Sequence, residues 1–185
     1  MKSLFMKGMT VAAAAGLMSG VGLAQTTVSL PDTSQTSTFT ATVSEQAKVT
    51  VPSAIAFTVT DIATSTAASA AIVTIDDLVL PTATDTLKIG VQANASDFTP
   101  SVALATTWAA SDVSWNAATW TSATGASGTL SDSAYGSVAT CTAASTNCST
   151  TGLVGLVFTL AAKDTVTYSG GHTLVMTWKF TSSTL

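Results

Sequence analysis

The chain of 185 residues contains no arginine, and charged residues make up 9% of it, against about 25% in ordinary soluble domains. Six Lys stand against ten acidic residues, for a formal net charge of −4. With no basic patch to displace counterions from phosphates, nucleic-acid binding is excluded as a function class. Histidine occurs once, as His172, directly after Gly170-Gly171. A general base needs a positioned partner, so this imidazole reads as a turn residue. No Gly-x-Ser-x-Gly elbow is present, and Gly125-Ala-Ser-Gly128 lacks that spacing. The acids Asp76, Asp77, Asp97, Asp112 and Asp132 follow no Asp-x-Asp-x-Asp-Gly pattern, so they read as solvated loop carboxylates and not as a calcium site. The sequence predicts neither catalysis nor a cofactor.

What replaces charge is Ser, Thr and Ala, a hydroxyl surface that suits an extracellular structural or adhesive protein. Residues 1–24 combine Lys2 and Lys7 with the small, apolar run Thr10 to Ala24. This is a signal-peptide pattern with cleavage expected before Gln25. The run is shorter than the roughly 20 apolar residues that cross a bilayer, so no transmembrane segment is expected in the mature chain. Residues 25–185 then suit one domain. In an oxidising compartment Cys141 and Cys148 are expected to pair, closing a short Ser/Thr-rich loop. A zinc knuckle is disfavoured by their spacing and by the distance of His172 in the sequence.

Period-two alternation dominates the remainder. Thr26 to Leu30, Ser37 to Ser44, Ala47 to Val51, the stretch carrying Ile55, Phe57 and Val59, Ile72 to Ile75, Leu78 to Leu80, Thr86 to Ala93, Val102 to Thr107 and Leu153 to Leu160 all read as strands or short extended pieces. Pro31, Pro52, Pro81 and Pro100 punctuate them. Asp164 to Tyr168 leads through Gly170-Gly171 into a closing strand, with Leu174, Met176, Trp178 and Phe180 on one face and Val175, Thr177 and Lys179 on the other. Ser122 to Thr151 reads as long loops with short strands between them. The expected fold is all-β: a single antiparallel β-sandwich, Ig-like or Greek-key, of about nine short strands.

Trp108, Trp115 and Trp120 fall within thirteen residues that also hold Asp112 and Asn116. Two readings compete for them: a platform for a sugar ring, which would make polysaccharide the partner, and ordinary core packing. The closing strand Thr173 to Phe180, with Met176-Thr177-Trp178-Lys179-Phe180 following Tyr168, resembles the C-terminal end of WxL-type bacterial cell-surface domains, although Phe180 stands where that family carries Leu. The resemblance implies noncovalent attachment to cell-envelope components, with Trp178 as the matching residue. Lys7-Gly8-Met9 also resembles a type IV prepilin cleavage site, but Ala13 occupies the position where that family carries Glu.

Uncharged, Thr-rich segments such as Ser34 to Ser44 lack the Lys and Pro that usually protect sheet edges. They suggest self-association by β-strand pairing, as in a fibre or surface layer, with the N-terminal segment adding to a neighbour's sheet. The leading expectation is an exported structural or adhesive surface protein, and the alternative is a glycan-binding module.

Overall fold

Strict alternation sets the centre of the molecule. In Leu87–Ala93 every second side chain, Leu87, Ile89, Val91 and Ala93, is buried, while Lys88 and Gln92 are partly exposed. A strand of this pattern must be flanked on both edges to satisfy its backbone, and two other strands pair with it. The computed structural model describes residues 37–103, 105–142, 147–151 and 154–185, and the chain from Thr42 onward forms one unit. The expected signal peptide and the expected strand Thr26 to Leu30 lie outside the described residues.

Fourteen short strands and a single 3-10 turn make up the regular structure among the described residues. The first seven strands are β1 (Gln46–Thr50), β2 (Thr66–Ala67), β3 (Thr74–Val79), β4 (Leu87–Ala93), β5 (Thr99–Pro100), β6 (Val113–Trp115) and β7 (Trp120–Thr121). After them come β8 (Ala123–Gly125), β9 (Gly128–Thr129), β10 (Gly136–Cys141), β11 (Cys148–Thr150), β12 (Phe158–Leu160), β13 (His172–Thr173) and β14 (Met176–Thr181). An eight-stranded sheet runs in the order β1-β3-β11-β7-β8-β10-β4-β14, a four-stranded sheet in the order β2-β12-β6-β9, and β13 pairs with β5. Every strand pairing is antiparallel. Only β7 and β8 are neighbours both in the sheet and in the chain, so long connections of the Greek-key kind link nearly everything else.

One continuous core takes side chains from both sheets. Phe158 of β12 meets Trp115 of β6 with ring centres 6.1 Å apart, and meets Trp178 of β14 edge-on at 6.3 Å across the sandwich. The all-β antiparallel fold expected from alternation is therefore present, as a sandwich whose large sheet curls and remains open on one side. Its open edges are β1 and β14, at the two ends of the strand order. They meet at one point, where Ser182 Oγ donates a hydrogen bond of 2.9 Å to the Glu45 carboxylate.

Four local expectations need correction. Ser37 to Ser44 alternates yet enters no strand, and all eight residues are exposed. The stretch around Ile55, Phe57 and Val59 is likewise in no sheet. Val102 to Thr107 contributes no strand among the described residues. In the opposite direction, Ser122 to Thr151 holds β10, a six-residue strand next to β4 at the heart of the large sheet. Its small residues Gly136, Val138, Ala139 and Cys141 hide its strand character, but they let Trp115 pack close: a Cβ at Gly136 would crowd the Trp115 ring.

Candidate functional site

The tryptophans come first, because they were the sequence's candidate binding face. Trp108, Trp115 and Trp120 are 5%, 3% and 6% exposed. Their rings serve the core, so no flat indole face of the three is open to a sugar. Burial of an indole leaves one N–H to satisfy. Trp108 Nε1 donates to Ala161 O at 2.9 Å and Trp115 Nε1 to Ala126 O at 3.0 Å, while Trp120 Nε1 is buried without a partner among the described residues. The polar residues near them are structural too. Asn116 donates to Gly155 O at 2.9 Å and accepts from Val157 N–H at 2.7 Å, which joins the chain before β7 to the chain before β12. Asp112 accepts the Ala109 N–H at 2.8 Å and pairs with Lys163 Nζ at 2.9 Å, with both side chains partly exposed.

Cys141 and Cys148 form a disulfide, with Cα atoms 6.1 Å apart. Both are fully buried, so the bond fastens the end of β10 to the start of β11 inside the core. The aspartates do not converge: among the described residues no group of three or more His, Cys, Asp or Glu side chains is placed to hold a metal ion. Asp97 and Asp132 line one small cleft of about 290 Å³, and the Asp97 carboxylate accepts the Ser96 hydroxyl at 2.8 Å.

His172 lies at the start of β13, two residues after Gly170, whose φ of +138° is one that side chains rarely allow. Its Nδ1 is 2.8 Å from the Thr107 hydroxyl, and its ring meets Trp108 edge-on at 5.2 Å. The partners of the imidazole among the described residues are thus a hydroxyl and an indole.

One concavity is lined by only one of the three tryptophans, Trp108. A groove of about 1010 Å³ opens between two chain segments, residues 51–62 and 166–178. Its floor is core: Phe98, Val113, Leu130, Phe158 and Leu160. Almost every consecutive residue of the two segments lines it, and not every second one. Both rims therefore present backbone as well as side chains. One rim is unusual: residues 52–60 belong to no strand and bend at Ser53 and Thr60, Ile55, Phe57 and Val59 are half-buried against the core with their neighbours exposed, and the stretch makes no backbone hydrogen bond among the described residues. The other rim leads into β14, whose outer edge is also unpaired. Tyr168 and Val175 on that rim are 56% and 65% exposed. Chemically the site offers apolar contact, unpaired peptide groups and one imidazole. Sequence reasoning assigned its parts to strands but did not foresee the gap between them; the visible signal was Pro52-Ser53 interrupting an otherwise continuous alternating run.

No family model matches the chain, and no curated protein and no solved structure matches it either.

Proposed function

We propose that the chain is an exported structural or adhesive protein of the cell surface that works by pairing β-strands between copies. The observation that carries this reading is the rim of residues 52–60, which alternates half-buried apolar and exposed residues, makes no backbone hydrogen bond among the described residues and faces an apolar groove. A strand with free N–H and C=O groups beside an exposed apolar surface is a site for another strand. The edges are lightly protected: β1 and β14 carry one Lys each, and Lys179 is engaged, its Nζ donating to Thr184 O at 3.1 Å and lying 5.1 Å from the Tyr135 ring centre. Export is supported by the buried disulfide, which belongs to an oxidising compartment. It is further supported by the signal-like residues 1–24. No helix among the described residues is long and apolar enough to cross a membrane. The likeness of Thr173 to Phe180 to WxL domains favours the cell envelope as the place of work.

Light scattering and negative-stain microscopy on the chain from Gln25, kept oxidised, test the reading. Regular filaments or sheets are the expected result. A monodisperse monomer at all concentrations overturns it.

A further inference from the structure

We propose that the groove receives residues 37–44 of a second copy as an added strand, with Phe39, Ala41 and Val43 against its apolar floor. This rests on the strand-pairing reading and names the two surfaces that meet. The segment has what the groove lacks. It alternates apolar and Thr residues at a period of two, which is the pattern of a strand with one buried face. That face is left in water: Phe39 is 97% exposed and Val43 73%. Large apolar side chains at such exposure, aligned on one side of an uncharged run, mark a surface that is covered when the protein works.

Chemistry and dimensions agree. Residues 33–44 contain no charge, and His172 is the one residue of the groove lining outside the uncharged types. Eight extended residues span about 27 Å, and the nine residues 51–59 span at most about 30 Å. Side chains two residues apart are spaced alike on donor and rim, so Phe39, Ala41 and Val43 repeat at the interval of Ile55, Phe57 and Val59.

The donor is assigned to a different copy because in its own chain Phe39 is 97% exposed and so lies outside the groove. Ser44 and Val51 lie at opposite ends of β1, an extended strand held by β3, and are separated by about 23 Å. Phe39 is five residues from Ser44 and reaches at most about 18 Å from it. The segment thus joins the fold at the end of β1 remote from Val51, where the rim begins. Copies linked this way are joined head to tail, since each offers a donor segment and a groove at different places, and such contacts extend into filaments unless the rotation closes a ring.

The test replaces Phe39 with the photocrosslinker benzoylphenylalanine in an equal mixture of isotopically light and heavy full-length exported chains, disulfide intact, alongside Phe39→Asp. Position 39 is exposed, so neither change disturbs folding, which thermal melting checks. Light-to-heavy crosslinks from position 39 to residues 51–59 or 166–178 are expected, and Phe39→Asp lowers association at least about tenfold, because a carboxylate cannot enter the apolar floor unpaired. Particles that persist in Phe39→Asp without groove crosslinks overturn this inference and leave strand pairing between copies standing. Crosslinks to the groove within one chain overturn it as well. A monomer without crosslinks overturns both readings.

Discussion

Strand β4 and the rim 52–60 share one sequence pattern and have opposite fates. Both alternate apolar and polar or small residues, and both turn their apolar side chains to the same core. β4 is hydrogen-bonded along both edges, by β10 and β14, while the rim makes no backbone hydrogen bond among the described residues. Alternation therefore reports which face of a segment is buried and nothing about who sits beside it. The rim has the pattern without partners among the described residues, and the groove lies beside it.

The largest expected difference between these regions is in amide hydrogen exchange. Amides of β4 open only with the whole domain, whereas those of 52–60 need no opening at all. Protection should differ by on the order of a thousandfold or more in the monomer, read by mass spectrometry. Equal protection would mean the rim has a partner in the free chain and would erase the contrast. Assembly should then raise protection at 52–60 selectively, with β4 unchanged.

Truncating the core separates the two regions by stability. Ile89, fully buried in β4, should cost about 2–5 kcal/mol on replacement by Ala. Ile55→Ala on the rim should cost roughly 1 kcal/mol, because that side chain is already partly open to water. Denaturant titration of the two variants decides it, and similar losses would count against an open groove.

A smaller effect comes from the staple between β10 and β11. Replacing Cys141 and Cys148 together by Ala removes a short loop closure and should lower stability by about 2–3 kcal/mol. Reduction should lower the melting temperature in the wild type and leave the double variant unmoved. Because the bond sits in the core, on the side of the sheet away from the order's two ends, the groove should keep its capacity to associate.

The smallest effect belongs to the ion pair Lys163–Asp112, partly exposed at both ends. Asp112→Asn retains an acceptor for the Ala109 N–H and should cost no more than about 1 kcal/mol, less at high salt. A loss several times larger, measured by thermal melting, would show that the pair holds the turn before β6 and not merely its surface.

How much of this was legible depends on the residue. Leu87, Ile89, Val91 and Ala93 declared their face at once, as did Leu174, Met176, Trp178 and Phe180, although the latter are only partly buried because β14 is an edge strand. Gly90 alternates with the inward set of β4, and it is nevertheless buried because the Leu185 side chain lies over it, at 2.7 Å from where a Cβ would stand. β10 was illegible because Gly, Ser, Ala and Thr carry little hydrophobic signal, and only the large Trp115 ring beside them makes small residues the right ones. The tryptophans illustrate the reverse case: an indole suits a sugar face and a core equally well by type, and its surroundings decide.

The sequence by itself determined the all-β character, the inward faces of the strongest strands and the pairing of the two cysteines. Each of these follows from local backbone geometry or from a short loop. The tertiary structure alone decided that the tryptophans are buried, that β10 lies beside β4, and that residues 52–60 line an apolar groove without a backbone partner among the described residues. The reason is that side-chain period is fixed within a strand, whereas hydrogen-bond partners come from segments tens of residues away, whose order in the sheet no local pattern encodes.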